Sequence, residues 1–305
     1  MEKKEFESYV KAGKIWKLTA KKARKIVKPD RKLLDMALAL EKAIIDIAKE
    51  EGTKEAKPAF PVNLSRNEEA AHATPSSTDS SELLENDVLK VDIGVQVDGF
   101  IADGALTFNF SNSFAKMIGA NEKALENALS VIKPGIELWK IGKEIEQTLK
   151  KFGYNPIQNL SGHGLEKHEQ HAQPSIPNID NKDNRKIEEG KALAVEPFAS
   201  TGKGFVHESG KVEIFSLKEA LPVRNAHARM VLEHVSENYL TMPFAERWLE
   251  KELKLSEFQR KTALRELLKN NCLAAYPVLK EEQEKIVTQA EKTIVVFEEK
   301  VTVIN

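Results

Sequence analysis

Cysteine is nearly absent from this sequence. A single residue, Cys272, cannot close an internal disulfide, which removes the disulfide-stapled secreted folds and points to a reducing compartment. Long apolar runs are missing too. The longest, such as Met36–Leu40, fall far short of the ~18 residues that a membrane-crossing helix needs. Neither sign of charge is in excess: 46 Lys+Arg stand against 47 Asp+Glu, a formal net charge of −1. The plainest electrostatic case for non-specific nucleic-acid or membrane-surface binding therefore falls away. The first residues, Met1-Glu2-Lys3-Lys4-Glu5, open an amphipathic segment and not the apolar stretch of a secretory signal. No short-period repeat or low-complexity tract is visible. Hydrophobic residues make up 41% of the 305, enough for a sizeable core, and 30% are charged, which fits a well-solvated surface. A folded, soluble, cytoplasmic protein is expected.

The pattern along the chain mixes helix and strand. Helical spacing predicts helices over 2–27 and 31–50, separated by Pro29-Asp30. Residues 54–82, rich in Pro, Asn, Ser and Thr, read as mostly loop. Strands are expected at 88–97 and 100–108 around Asp98-Gly99, a strong type I′ hairpin signal. Helices follow at about 119–132 and 137–152, then strand and loop over 157–177 and an apolar strand at Ala192–Phe198. Residues 213–275 turn helical, most clearly over Trp248–Asn271, and 283–305 return to strand. The reading is an α+β catalytic domain over 1–212 and 276–305, interrupted by a helical insertion over 213–275.

The hairpin carries the first chemical hint. With Asp98-Gly99 as its turn, Val97 pairs with Phe100, and counting back sets Gly94 opposite Asp103. Asp92 and Asp103 are then diagonal neighbours on one face, roughly 7–8 Å apart, with Gly94 leaving open space between them. Two like charges on a half-buried face need a cation or a proton. Taken alone, acids at this spacing on a hairpin face solvent in most proteins, because Val91, Ile93, Val95 and Val97 supply an ordinary buried side. Further candidates lie far along the chain: Glu196, the one acid of Ala192–Phe198; Glu291, just before Thr293–Phe297; His163 between Gly162 and Gly164; His171; and His72. His168 is a decoy candidate beside His171, and His207, His227 and His234 have no comparable context.

The order Asp92, Asp103, His163, Glu196, Glu291 resembles the ligand set of the pita-bread metallopeptidases. The local motifs resemble archaeal-style type II methionine aminopeptidases. They include Ala59-Phe60-Pro61, Ala70-Ala71-His72-Ala73-Thr74-Pro75, Lys90-Val91-Asp92-Ile93-Gly94, Ser161-Gly162-His163-Gly164, His171-Ala172-Gln173-Pro174, Glu196-Pro197-Phe198, Tyr276-Pro277 and Gln289-Ala290-Glu291. The spacing from Glu196 to Glu291 leaves room for the helical insertion of type II. Gly104, after Asp103, is the less typical residue.

The resemblance implies a pita-bread fold and two divalent ions per chain. Asp103 and Glu291 would bridge them, Asp92 would serve one, and His163 and Glu196 the other. Mn, Fe and Co suit so oxygen-rich a set, and Zn is compatible. It implies removal of the initiator methionine by dimetal-hydroxide hydrolysis, with a small second residue preferred. Glu196 would shuttle the proton, His72 and His171 would contact the substrate, and Phe60 and Tyr276 would line the methionine pocket. The partners implied are N-termini of nascent polypeptides and, transiently, the ribosome. A monomer is expected, with no membrane and no specific nucleic acid. Arg247, Lys251, Lys254, Arg260, Lys261 and Arg265 interleave with acids, which reads as a solvated salt-bridged face. The insertion is expected to wall one side of the cleft. A proline-specific aminopeptidase and a non-catalytic binding protein on the same scaffold are the rival readings.

Overall fold

Two helices open the chain, α1 (Lys3–Ile26) and α2 (Leu33–Glu50), in a computed structural model that describes residues 1–305. The apolar stripe of α1, including Tyr9, Ala12, Ile15, Trp16, Ala20 and Ala23, is buried, while its lysines stay at the surface. Polar tips of that stripe also find partners. Tyr9 Oη donates to the Leu165 carbonyl (2.9 Å) and Trp16 Nε1 to that of Ile93 (2.8 Å), tying α1 to two different sheets.

Residues 54–82 are less irregular than expected. They hold β1 (Lys57–Pro58), β2 (Asn63–Arg66) and β3 (Glu69–Ala71). These short strands exist through distant pairing, since β1 and β2 both join β4 (Val88–Val97). Local composition carries no trace of such long-range partners. Strand β5 (Phe100–Asn109) completes the hairpin, with Val97 opposite Phe100 and Gly94 opposite Asp103, as expected. Asp98 (φ 54°) and Gly99 (φ 88°) both adopt the positive φ of a type I′ turn.

A second helix pair, α3 (Ala115–Val131) and α4 (Leu138–Phe152), starts a second core. Helix α3 begins four residues before the expected Gly119, because the Asn109 side chain accepts from the Phe114 N–H and Met117 already packs inside. Next come β6 (Asn155–Pro156), β7 (Ser161–Glu166), β8 (Glu169–Pro177) and β9 (Ala192–Val195). The expected strand 192–198 is broken at Glu196-Pro197, after which β10 (Phe198–Ser200) enters a different sheet.

Strand β11 (His207–Leu217) leads to α5 (Ala226–Asn238), β12 (Phe244–Ala245), α6 (Glu246–Glu252) and α7 (Glu257–Lys269). These helices bury their own apolar cluster, with β13 (Leu273–Lys280) returning beside β11. The bounds 213 and 275 therefore fall inside paired strands. The helix expected over 248–271 is two helices, because Ser256 caps α7 and its partner Gln259 closes a capping box. Arg247 and Arg260 do not lie on a solvated face. Both are buried, Arg247 paired with Glu41 and bonded to Thr74, Arg260 paired with Glu246. Charge interleaving cannot distinguish an inward ion pair from an outward one.

The chain ends with β14 (Val287–Gln289), β15 (Lys292–Phe297) and β16 (Lys300–Val303). Strands β16, β15, β9, β7 and β8 form one sheet; β14, β10 and β6 another; β12, β11, β13 and β3 a third. No helix is long and apolar enough to cross a membrane.

Candidate metal centre

The hairpin's polar face turns inward. Asp92 and Asp103 project from β4 and β5 into a cavity of about 330 Å³, which is also lined by His163, Glu196 and Glu291. Each arrives from a different element: His163 from β7, Glu196 from the break between β9 and β10, Glu291 from the link between β14 and β15. Pro197 ends one strand beside Glu196, so the carboxylate leaves at a bend instead of alternating into a core. The space at Gly94 is not open. The ring of Phe60 lies over it, and any side chain there would run into that ring.

Ligand atoms of Asp103, His163 and Glu291 all lie within 4.8 Å of one another. His163 Nε2 is 3.8 Å from Asp103 Oδ2 and 3.6 Å from Glu196 Oε1. The Gln289 amide bridges two acids, donating to Glu196 Oε2 (3.2 Å) and Glu291 Oε2 (3.3 Å). Gln170 Nε2 donates to Asp103 Oδ2 (3.1 Å). His72, His171, Phe60 and Tyr276 line the same cavity. The rings of His163 and His171 are 4.6 Å apart, and His72 sits 5.5 Å from Tyr276. From the insertion side Pro243 lines the wall, with Ile214 and Tyr276 on the strands that frame the insertion. His168 lies outside, against the hairpin tip at Gly99. His227 contacts Gln259, and His234 contacts Glu252.

Four carboxylates share this space, yet no lysine or arginine lines it. Lys90 is on the acids' face of β4, but its ammonium donates to the Asn67 carbonyl (2.8 Å) outside the cavity. Burial pushes the Asp103 carboxyl up to about 7. Burial, then repulsion from Asp103, holds Asp92, Glu196 and Glu291 well above the usual carboxylate range. Burial pulls His163 and His72 down to about 4, so both are neutral near pH 7.

Comparison with known proteins bears on this arrangement. The sequence matches the family described as metallopeptidase family M24 over residues 7–224. A methionine aminopeptidase of Pyrococcus horikoshii is 44% identical over 298 residues, spanning 97% of this chain and 98% of the relative. The chain belongs to metallopeptidase family M24. Among solved structures, a thermophilic Arx1 matches with a TM-score of 0.88 at 18% identity, covering 100% of this chain and 91% of that one. Methionine aminopeptidase from Thermotoga maritima gives 0.67 at 22%, covering 100% and 97%. At such identities the likeness establishes the fold, the α+β pita-bread arrangement of M24.

An M24 metallopeptidase is a hydrolase that uses divalent metal, and these residues fit the ions. Asp92 Oδ1 and Asp103 Oδ1 are buried with no hydrogen-bond partner. An acceptor left in that condition is costly unless something cationic fills the gap. The donor set, oxygen-rich with one imidazole, is that of a hard or borderline divalent ion. Several groups of this M24 site escaped sequence reading: Gln170, Thr293, Asn305 and the bridging role of Gln289. Gln289 and Thr293 flank Glu291 and could have been found at alternate positions around it. Asn305 carries no local signal.

Proposed function

We propose that this M24 metallopeptidase is a type II methionine aminopeptidase that removes the N-terminal methionine of nascent polypeptides in the cytoplasm, with a small second residue preferred. The observation that carries the reading is the cavity itself: four carboxylates and a neutral imidazole converge where no lysine or arginine is present. Relatives 39–45% identical over nearly the whole chain, all named methionine aminopeptidase, support the substrate. Three helices between β11 and β13 support the type II assignment and an insertion near 213–275.

Asp103 and Glu291 would bridge two divalent ions, with Asp92 on one and His163 and Glu196 on the other. When bound, the ions polarise the scissile carbonyl and acidify the attacking water. Glu196 takes the water's proton and delivers it to the leaving amine. His72 Nδ1 faces the Pro277 carbonyl at 3.3 Å. A carbonyl only accepts, so Nδ1 carries the proton, and in the neutral ring Nε2 is an acceptor. His72 therefore receives a substrate N–H, which leaves His171 to donate to the developing oxyanion. Phe60 and Tyr276 offer aromatic faces to the methionine sulfur.

The deciding assay compares Met-Ala-Ser with Xaa-Pro peptides, using protein loaded with Mn or Co. Release of methionine from the first is expected. Cleavage of only the second would replace this reading with a proline-specific one. Failure to take up metal would replace it with a non-catalytic one.

A further inference from the structure

Strands β5 and β15 carry or adjoin the two bridging acids, yet no ladder joins them. Strand β5 pairs with β4, and β15 with β9 and β16. Side chains connect them instead. The Thr293 hydroxyl accepts from the Asp103 N–H (2.7 Å) and donates to the Asp103 carbonyl (2.9 Å). That carbonyl also accepts from Asn305 Nδ2 (2.6 Å), while Asn305 Oδ1 accepts from the Thr293 N–H (2.8 Å). Two residues before Glu291 the device recurs: the Thr107 hydroxyl accepts from the Gln289 N–H (3.0 Å) and donates to its carbonyl (2.6 Å). Glu291 is thus bracketed by two cross-links to β5.

Asn305 is 2% exposed, and its neighbour Ile304 donates to the Thr293 carbonyl (2.8 Å). Its carboxamide occupies ground that position 104 leaves vacant. A Cβ on Gly104 would stand 2.5 Å from Asn305 Nδ2 and 2.6 Å from Trp16 Cζ2. The less typical glycine after Asp103 is therefore matched to the amide that fills its place.

We propose that the Asn305 carboxamide, acting with the Thr293 hydroxyl, is a positioning group that sets the Asp103 backbone against that of Glu291 and so fixes the separation of the bridging carboxylates. The inference rests on the dimetal reading above. Both lone pairs of the Asp103 carbonyl are occupied, so its carboxylate departs from a fixed base, and supports of this kind typically alter metal affinity 10–100-fold.

The test uses the full chain stripped of metal and titrated with Co(II), read by calorimetry and by visible absorption of the bound ion. Asn305→Ala and Asn305→Asp are expected to weaken uptake about tenfold or more and to shift the absorption bands. Thr293→Val should act likewise, and Thr293→Ser, which restores the hydroxyl, should return both readouts to the parent's. Leu232→Ala, in the distant helical cluster, controls for general loss of stability: a lower melting temperature with parental Co(II) binding is expected. Parental affinity and spectrum in Asn305→Ala would overturn the proposal, as would an equal loss in the Leu232 control. If the parent binds Co(II) but leaves Met-Ala-Ser intact, the peptidase reading fails and the clamp does not. A parent that binds no Co(II) overturns both.

Discussion

Metal uptake by this protein should expel protons, and the expulsion should be large enough to measure directly. In the metal-free protein the Asp103 carboxyl, at about 7, is half protonated at pH 7, and Asp92, Glu196 and Glu291 lie well above the usual range. Divalent ions bind the ionised forms and displace those protons. His163 and His72, near 4, contribute none at that pH. At least the half proton held by Asp103 is expected to leave when Mn or Co is titrated in at pH 7. Affinity should then fall by about fivefold or more from pH 7 to 6 on the Asp103 proton alone, since a fully displaced proton contributes a factor of ten per unit. Stability of the stripped protein follows the same logic. A raised carboxyl favours the fold below its unfolded value and loses that contribution as pH rises through the folded value. For Asp103, moving from 3.8 to about 7 amounts to roughly 4 kcal/mol. The lowered histidines act oppositely, but only between 6.5 and about 4. Above 6.5 the buried Lys90 ammonium, pulled down to about 7, acts against them. One lysine stands against four raised carboxyls, so chelator-treated protein should still melt lower at pH 8 than at pH 6.5, and added metal should close the gap. Calorimetry in two buffers of different ionisation enthalpy counts the protons. A count near zero would mean that the acids are already ionised without metal, and the argument from their burial would be wrong.

Other substitutions separate the roles. Asp103→Asn should abolish methionine release while circular dichroism stays that of the parent, because it removes a charge from the proposed ligand set and no core volume. His171→Ala should lower kcat by about 10²–10³, as loss of one oxyanion donor does, with metal content unchanged by elemental analysis; metal loss would move His171 into the coordination shell. Arg247→Ala strands the Glu41 carboxylate among buried partners and should destabilise by about 3–5 kcal/mol, read by chemical denaturation.

How much of this was legible in the residues depended on range. The Asp98-Gly99 turn is a two-residue signal with a defined geometry, so the hairpin register and the pairing of Gly94 with Asp103 followed at once. The convergence of Asp92, Asp103, His163, Glu196 and Glu291 came from the resemblance, since no local pattern links β4 to a loop almost 200 positions later. Short strands β1 to β3 were hidden because their partners lie elsewhere in the chain. The break before α7 was present in the sequence as Ser256 and Gln259, a capping pattern outweighed by the periodicity around it. Arg247 and Arg260 were read outward because a charged residue usually is, and only tertiary packing shows that acids were waiting inside. Asn305 was invisible for the same reason that Gly104 looked odd: each makes sense only beside the other.

The scatter of the donor atoms along the chain also dictates when the centre can come into being. Asp103 and its cross-link Thr293 are separated by 190 positions, and neither hairpin nor helical insertion holds a full set of donors. During synthesis, a polypeptide released short of its last strands would lack Glu291, the Gln289 amide and the Thr293 cross-link, and with them one of the two bridging acids proposed above. The proposed centre can therefore close only after the C-terminal strands have been made and folded back onto β5.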